Sequence, residues 1–493
     1  MGHEIRPHRP WTAAACGVLL VTSAVTAAEA PDLIDAVKTG DRDRVDALIA
    51  GGADVDARQG DGATALHWAA HRNDLVAAES LIAAGATVNA ANALGATPLW
   101  LAAMNGSADM VGRLLDANAD PNAALKMGET PLMTAARAGS AKTAEVLLDH
   151  GADPNAAEHE RGQTALMWAA AQRHPEVARR LIERGADLHA RSTVWHQLEN
   201  TAGNTNPIGN FEMAHGGSTP LLFAARNGDV DTVRVLVDAG ADVNDVAAAG
   251  TSALVIAAHS AHEALGIYLL EEGADPNVAG AGYTALHAAV LRGGTRLVDA
   301  LLAHGADPNA LVEHGTPGRR ISADYSLRHQ MIGVNAFWLA AQFGELEMLG
   351  ALAEHGADPL VTPDDGKSAL QATVGMPRLY LETRRNRAGI APPDPVEDER
   401  RTLEMARIVF DLGVDVNAAN RRGDTAMHDA VRKGFASVVE FLASHGADIN
   451  ATNGRDETPL TLAKSVLTVP GSAGLRTDRP EIAELLRSLG AND

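Results

Sequence analysis

A few short patterns in the sequence match those of catalytic or metal-binding sites. The segment Gly366–Ser368 (Gly-Lys-Ser) has the ending of a loop in which backbone N–H groups and a lysine hold phosphates. The upstream position that must be glycine in such a loop is Val361. His67 and His71 have the i, i+4 spacing of two zinc ligands on a helix, but the glutamate of a zinc-protease motif does not accompany them. The sequence therefore predicts neither a phosphate-binding loop nor a zinc-protease site here.

The histidines and the single cysteine limit which kinds of catalytic or metal-binding site the chain could contain. Cys16 is the only cysteine, so disulfides, thiolate catalysis and cysteine-ligated metals are excluded from the rest of the chain. Among the 19 histidines, His196, His215 and His329 lie in two segments that we expect at one edge of the fold. No nucleophile with a base and no metal cluster is apparent elsewhere. We predict that the protein is not an enzyme and holds no cofactor; a metal-handling or enzymatic site built from the inserts described below is the alternative.

The elements that would position these residues repeat along the chain. A tetrad of Thr or Ser, then Pro or Ala, then Leu and a variable residue recurs, mostly every 32 to 34 residues. A hydroxyl side chain followed by Pro or Ala predicts the start of a helix. Pairs of alanines follow and allow close helix packing. The tetrads begin at Thr64, Thr97, Thr130, Thr164, Thr219, Ser252, Thr284, Ser368, Thr425 and Thr458, with Asn335 starting a variant.

A second signature predicts where the following helix ends. Glycine at this position permits the left-handed backbone that closes a helix, and Asn118, the next most tolerant residue type, replaces it once. The Asp-x-Asn that follows favours a tight turn into an extended finger. The signature Gly-Ala-Asp-x-Asn, or a close variant, begins at Gly52, Gly85, Gly151, Gly185, Gly240, Gly273, Gly305, Gly356, Gly413 and Gly446.

Helix, turn, helix and finger at a period of about 33 residues closely resemble the ankyrin repeat. The segment Thr97–Leu99 with Ala102-Ala103, and the segment Gly151–Ala156, carry the resemblance, which covers essentially all of the mature chain. It implies an all-α fold, an ankyrin-repeat solenoid of about 12 helix-turn-helix units with β-hairpin fingers. With the leader described next, the chain resembles exported bacterial ankyrin-repeat proteins.

The N-terminus has the pattern of a secretory signal peptide. A mildly basic start precedes an apolar stretch from Trp11 to Val25, which is too short to span a bilayer comfortably. Small residues then favour cleavage near Ala27 or Ala28. We expect an exported protein, periplasmic or secreted, with no other stretch able to cross a membrane.

Three inserts interrupt the period. Two of them follow fingers, carry aromatic and arginine residues, and should project from one edge; the third lies between the two helices of its repeat and is predicted to be disordered or to extend a helix. Each is either a tolerated surface loop or part of a binding surface. The predicted organisation is 1–28 signal peptide, 29–61 N-terminal capping repeat, 62–190 repeats 2–5, 191–216 finger-side insert, 217–310 repeats 6–8, 311–332 finger-side insert, 333–455 repeats 9–11 with insert 375–400, and 456–493 C-terminal capping repeat.

The charge balance limits the class of partner. The formal net charge is −22 at pH 7, whereas nucleic acid and anionic lipid require a basic surface. We therefore expect a monomer that binds a protein of unknown identity, and neither nucleic acid nor membrane.

The family resemblance implies that the finger tips and the exposed side of the first helix of each repeat, the concave face, bind the partner. Arginines recur there; they either pair with carboxylates of an acidic partner or are solvated and paired within the protein. Tryptophans beside them either pack or form a ligand cage. The candidate binding residues are His71, Arg72, Met104, Asn105, Arg137, Trp195, Arg226, Asn227, Arg292, Arg319, Arg320, Gln342, Phe343, Arg432 and Lys433.

These patterns favour a non-enzymatic, exported scaffold that binds a partner protein through the concave face and the inserts. A secreted effector that acts on another cell is the alternative that the same features allow.

Overall fold

The computed structural model describes residues 32–200, 210–316, 327–375, 394–465 and 479–492. The predicted signal peptide, residues 1–28, lies outside the described residues, as do Arg319 and Arg320 of the second insert. The chain divides into two compact units, Met1–Lys126 and Met127–Asp493. Each unit has its own core of stacked helices.

The N-terminal unit consists of consecutive helix pairs, and in each pair we call the earlier helix the first helix. Its helices are α1 (Asp32–Thr39), α2 (Arg42–Ala50), α3 (Ala65–Arg72), α4 (Leu75–Ala83), α5 (Pro98–Met104) and α6 (Ala108–Asp116).

The C-terminal unit continues the same pairing and adds one two-stranded sheet and a short 3-10 helix, His329–Met331. Its elements up to the second insert are α7 (Pro131–Ala138), α8 (Ala141–Asp149), α9 (Ala165–Ala171), α10 (Pro175–Glu183), β1 (Trp195–Asn200), β2 (Asn210–His215), α11 (Pro220–Asn227), α12 (Val230–Asp238), α13 (Ala253–His259), α14 (Glu263–Glu271), α15 (Ala285–Arg292) and α16 (Thr295–Ala303). Beyond that insert come α17 (Ala336–Phe343), α18 (Leu346–Glu354), α19 (Ala369–Val374), α20 (Pro395–Asp411), α21 (Ala426–Lys433), α22 (Ala436–Ser444), α23 (Pro459–Lys464) and α24 (Pro480–Ser488).

The tetrads begin the first helices. The Thr164 hydroxyl accepts the N–H of Met167 at 3.4 Å, and Asn335 of the variant tetrad does the same for Trp338 at 3.0 Å. Side-chain acceptors of this kind satisfy N–H groups that have no partner within the helix. Leu166 and the alanine pairs behind the tetrads are fully buried, and the first helices pack on one another in order. The structure confirms the predicted helical repeat fold.

The fingers are turns rather than long β-ladders. Outside the two named strands, the described residues contain only isolated bridges, Ala157 with Thr164 and Val246 with Ser252. Neighbouring fingers are joined by single bonds, such as Thr193 N–H to the carbonyl of Arg161 at 2.7 Å. Each finger is a short hairpin without extended strands, closed by a backbone bond such as that from Asn92 N–H to the carbonyl of Ala96 at 3.0 Å. The strands occur instead in the first insert, where Trp195 lies opposite His215 and Asn200 opposite Asn210.

An asparagine side chain links several of the repeats to the next one, and we call this link the asparagine clamp. The amide of Asn277 donates to the carbonyl of Gly305 at 3.0 Å and accepts the N–H of Asp307 at 2.7 Å. This asparagine is the last residue of the Gly-Ala-Asp-x-Asn signature. Equivalent pairs of bonds are made by Asn89 in the N-terminal unit and by Asn155, Asn244, Asn309 and Asn417 in the C-terminal unit.

Two repeats of the C-terminal unit lack the clamp. His189 occupies its position ahead of the first insert, and Leu360, which is 62% exposed, occupies it in the repeat before the third insert. Between the two repeats at the first of these places, the side chain of Asn227 donates to the carbonyl of Ala171 at 2.7 Å. Arg173 in turn donates to the carbonyl of Asn227 at 2.6 Å.

The second insert has an ordered stem. Val312 N–H donates to the carbonyl of Val334 at 2.9 Å, and Gly333 N–H donates back to the carbonyl of Val312 at 2.7 Å. Val312 and Leu327 are fully buried. The stem therefore anchors the insert through a small apolar cluster. The clamp of Asn309 passes beneath it and reaches the next repeat.

The last part of the third insert extends a helix, as one of its two interpretations predicted. Helix α20 has 17 residues, whereas the other second helices have nine, such as α18 and α22. Arg401 of the extension lies 3.3 Å from Glu347 of the preceding repeat. Glu399 accepts the N–H of Ser437 at 2.8 Å and its hydroxyl at 2.7 Å in the following repeat. The extension thus braces three successive repeats.

Histidine in the fourth place of the tetrad is part of the architecture. His287 Nδ1 accepts the N–H of Thr284 at 3.1 Å, and its Nε2 lies 3.0 Å from the carbonyl of Ala310 in the next finger. A neutral imidazole with its proton on Nε2 satisfies both bonds. Burial lowers the pKa of His287 to about 4, and it also lowers the pKa of His67 and His428, which form the same contacts.

Gln371 shows that an uncharged amide can replace this histidine. Its Oε1 accepts the N–H of Ser368 at 3.2 Å, and its Nε2 donates to the carbonyl of Asp424 at 2.6 Å. Ser368, which ended the apparent phosphate loop, is therefore a helix cap.

No helix of the described residues is long and apolar enough to cross a membrane.

The capping histidines predict a loss of stability in acid. The pKa of His287 is lower when folded (about 4) than when unfolded (about 6.5), so stability is present above pH 6.5 and is lost as the pH falls towards 4. His287→Gln keeps both hydrogen bonds without a titrating group. Between pH 7 and pH 5 we expect the wild type to lose about 2 kcal/mol more unfolding free energy than His287→Gln, measured by urea unfolding.

The reciprocal variant is the control. Gln371→His should make the pH dependence steeper than that of the wild type. Parallel pH profiles for wild type and His287→Gln would show that this interpretation is wrong.

The asparagine clamp predicts a local stability effect. Asn277→Ala removes two hydrogen bonds between repeats and should lower the unfolding free energy by about 1–2 kcal/mol. It should also speed hydrogen exchange at the amide of Asp307. Leu360→Ala changes the equivalent position where no clamp exists, and we expect less than about 0.5 kcal/mol there. Equal effects of the two variants in urea unfolding would contradict the clamp's role.

Candidate functional site

Most of the described candidate residues lie at the last turn of the first helices, and we call the surface they form within each unit the first-helix surface of that unit. Arg72, Asn105 and Arg226 are exposed. Half-buried positions are His71, Met104, Arg137, Trp195, Asn227, Arg292, Gln342, Arg432 and Lys433. Positions in the N-terminal and C-terminal units are described within their own units only.

Phe343 corrects the predicted set, because its side chain is only 2% exposed. It is the last residue of α17, directly before Gly344, which has the left-handed backbone that closes the helix. A large apolar ring at that place gains more from burial than from exposure to water. Phe343 therefore belongs to the core and not to a binding surface.

Arg137 is held in place by two neighbours. Its guanidinium lies 3.0 Å from Glu129 in the preceding finger and 4.8 Å from the centre of the Trp168 ring in the next repeat. The hydroxyl of Thr134 also donates to Glu129, at 2.8 Å. A guanidinium over an indole face is attracted by the negative charge density of the ring. Arg137 and Trp168 are thus a fixed, half-buried pair.

Trp195 forms a similar pair at the base of the first insert. The Arg161 guanidinium lies 4.1 Å from its ring centre, and the ring of His215 stacks on it at 5.5 Å with an interplanar angle of 16°. Glu199 lies 3.1 Å from Nε2 of His215. These contacts fix the hairpin of β1 and β2 to the finger that precedes it.

Two further tryptophans have cationic neighbours. In the N-terminal unit, Lys38 lies 4.8 Å from the ring centre of Trp68. In the C-terminal unit, Lys367 lies 5.9 Å from that of Trp338 and donates to Gln342 at 2.7 Å, and burial lowers the pKa of Lys367. The sequence prediction missed Lys38, Arg161 and Lys367. Each stands about one repeat away from its tryptophan, and that spacing is the signal that could have identified them.

Arg432 belongs to a network of charged residues. It lies 2.6 Å from Asp424 and 3.1 Å from Asp429, and Asn453 donates to Asp424 at 2.9 Å. Burial acts to raise the pKa of Asp424, but the hydrogen bonds from Arg432 and Asn453 outweigh it and hold that pKa below its usual value. For Asp429, burial outweighs the neighbouring cations and raises the pKa.

The two candidate asparagines link repeats. The amide of Asn105 donates to the carbonyl of His71 at 2.7 Å in the N-terminal unit, and that of Asn227 donates to Ala171 in the C-terminal unit. His174 and His262 lie 3.2 Å from the carbonyls of Arg137 and Arg226 in the same way. These four side chains bond to the neighbouring repeat and thereby stabilise the first-helix surface.

The structure does not assemble the predicted histidine cluster. His196 and His215 alternate in direction, because they lie on β1 and β2 at positions that are not opposite each other. Within the described residues, no group of three or more His, Cys, Asp or Glu side chains could hold a metal ion.

Comparisons with known proteins identify the family. The profile described as "Ankyrin repeats (3 copies)" matches residues 33–125, 118–192, 198–280 and 221–312, and the one described as "Ankyrin repeats (many copies)" matches 402–463.

Similar proteins share the repeats and differ in length. Human "Ankyrin repeat and SOCS box protein 16" is 32% identical over 217 residues, which are 43% of this chain and 47% of that protein. "Putative ankyrin repeat protein FPV230" of fowlpox virus is 27% identical over 214 residues, 43% of this chain and 90% of that protein. The crystal structure of the human ASB11 ankyrin repeat domain is 27% identical, covers 50% of this chain and 98% of its own, and has a TM-score of 0.41.

The alignments with human and mouse "Ankyrin repeat and SOCS box protein 16" span about half the length of those relatives. The repeats themselves are matched over more than half of this chain, and with the stacked helix pairs they give one conclusion: the chain belongs to the ankyrin-repeat family.

Proposed function

We propose that this protein is an exported, non-enzymatic scaffold that binds a partner protein through its first-helix surface and its finger-side inserts. Ankyrin repeats suggest a protein–protein interaction scaffold. The proposal adds export, which rests on the basic and apolar N-terminal pattern, and a location for the partner.

The pairs of a cation and a tryptophan are the observation that carries the proposal. Arg137 with Trp168 and Arg161 with Trp195 place large, half-buried side chains at the surface in fixed positions. Tryptophan and arginine are the residue types that dominate binding energy at protein interfaces. Because their neighbours already fix them, little conformational entropy would be lost on binding.

The helix caps explain why we propose binding rather than catalysis. The side chains of His67, His287 and His428 bond backbone groups at both ring nitrogens, and Ser368 caps a helix. Their hydrogen-bonding capacity is used by the fold. What the first-helix surface offers a partner is shape, indole rings and positive charge.

Capture of a partner tests the binding surface. The purified protein serves as bait in an extract of extracytoplasmic proteins, and bound proteins are identified by mass spectrometry. We expect a specific protein to be retained by the wild type and at least tenfold less by Trp168→Ala/Trp195→Ala, since hot-spot aromatics contribute about 2 kcal/mol or more each.

Arg179→Ala/Arg180→Ala, on the exposed side of α10, is the matched control and should retain the partner. Circular dichroism melting shows whether each variant is folded. Retention by the folded double tryptophan variant would contradict a role for this surface.

Cell fractionation tests export. With a C-terminal tag, we expect the protein in the periplasm or the medium, with an N-terminal residue of Ala28 or Glu29 by mass spectrometry. A variant that lacks residues 2–28 should stay in the cytoplasm. An intact Met1 on cytoplasmic protein of the full chain would show that the export proposal is wrong.

A further inference from the structure

The hairpin of the first insert has two open edges. The described residues form one sheet, and it contains only β1 and β2. The two strands pair without a bulge, from Trp195 opposite His215 to Asn200 opposite Asn210. In a sheet of two strands, each strand has one side on which its backbone N–H and carbonyl groups face away from the other strand.

The fold does not use these outward backbone groups of β1. The preceding finger bonds the chain just before the strand, where Thr193 N–H donates to the carbonyl of Arg161 at 2.7 Å. Along Trp195–Glu199, no described residue outside the hairpin forms a hydrogen bond with a backbone group. The strand also contains no lysine or proline, which are residue types that block exposed edges in natural sheets. The edge of β1 is therefore open to a further strand.

The solvent face of β1 carries two exposed apolar side chains. Val194, directly before the strand, is 48% exposed, and Leu198 is 66% exposed. Because side chains alternate between the faces of a strand, Val194, His196 and Leu198 share this face. A strand added along the edge of β1 would cover both apolar side chains.

Contacts on the other face fix the hairpin in position. The Arg161 guanidinium lies 4.1 Å from the ring centre of Trp195, and the ring of His215 stacks on that of Trp195. Glu199 lies 3.1 Å from Nε2 of His215. An edge that is already fixed loses little conformational entropy when a strand is added to it.

We propose that the outer edge of β1 binds an extended segment of a partner protein, which has apolar residues at alternate positions and basic residues at its ends. This inference rests on the proposed function and names how the first insert holds its partner. The backbone of the segment pairs with that of β1 and adds a third strand to the hairpin. Every second side chain of the segment then lies beside Val194 and Leu198, which favours apolar residues at those positions.

The two edges of the hairpin differ in their side chains. On the solvent face of β2 lie Asn210, Glu212 and Ala214, which are two polar residues and one small one. The large exposed apolar side chain of the hairpin, Leu198, belongs to β1. Burial of apolar surface therefore favours addition at β1 over addition at β2.

The charge of the chain favours a basic partner segment over a second copy. The formal net charge is −22, so two copies repel each other at long range. Glu212, which is exposed opposite Leu198, adds negative charge to the solvent face of the hairpin. The same field attracts a segment that carries lysine or arginine at its ends.

Synthetic peptides test the inference by fluorescence anisotropy with the purified protein. The probe is fluorescein-labelled Lys-Val-Thr-Val-Thr-Val-Lys, in which two valines are four residues apart, as Val194 and Leu198 are. The same peptide with a methyl group on each of its five central backbone nitrogens should bind at least tenfold more weakly, because two or more backbone hydrogen bonds are lost. Lys-Thr-Val-Val-Val-Thr-Lys has the same composition without the alternation and should bind about threefold more weakly.

Hydrogen exchange locates the added strand. With saturating probe peptide, we expect exchange to slow at least fivefold at those amides of Trp195–Glu199 that face away from β2. The outward amides of Phe211–Ala214 should change less than about twofold. Contact through side chains alone would not produce this difference between the two edges.

Matched variants test the edge of β1. Leu198→Lys places a positive charge beside the basic segment, removes an apolar contact and should weaken binding of the probe peptide at least tenfold. Leu198→Thr changes no charge and should weaken it less. Leu360→Lys makes the same substitution at another exposed leucine of the C-terminal unit and should alter binding less than about twofold. Circular dichroism melting shows whether each variant is folded.

Three results would overturn the inference: equal binding of the methylated peptide, unchanged binding by folded Leu198→Lys, or slowed exchange in β2 alone. The capture experiment separates this inference from the proposed function. A captured partner that is lost from Trp168→Ala and retained by folded Leu198→Lys would overturn strand addition and support the scaffold. No captured protein and no binding of the probe peptide would count against both.

Discussion

The hydrogen bonds between successive repeats are the constraint on which the rest of the structure depends. A single pair of short helices buries too little apolar surface to be stable alone, so each pair relies on its neighbours. The alanine pairs allow close approach but do not set a register, because a small flat surface can slide. The amide of Asn277 sets the register, since it pairs with one carbonyl and one N–H of the next repeat. Asn309 keeps this register across an insert.

The features that the sequence could predict depend on residues close together in the chain. Thr164 and Asn335 cap helices, and glycine closes them, because these effects depend on a few bonded neighbours. What it could not predict depends on neighbours one repeat away. The contact of Arg161 with Trp195 and the burial of Phe343 arise only when finger and helix are placed side by side. The strands of the first insert were missed for a different reason, since a strand of six residues gives little signal by itself.

Two arginines of the candidate surface are paired within the protein. Arg137 and Arg432 have carboxylate partners at 3.0 Å and 2.6 Å, so they organise the surface more than they offer charge to a ligand. Of the two alternatives that the sequence left open for the arginines, pairing within the protein describes these two.

The stem of the second insert has a consequence for how such a chain can change over generations. Val312 and Val334 close the insert at its base, and the clamp of Asn309 joins the flanking repeats below it. The pitch of the stack is therefore independent of how many residues lie beyond the stem. Doubling the length of a loop costs only about 0.6 kcal/mol of closure entropy. Residues can be gained, lost or exchanged there without disturbing the array, so that new recognition properties can arise on an unchanged framework.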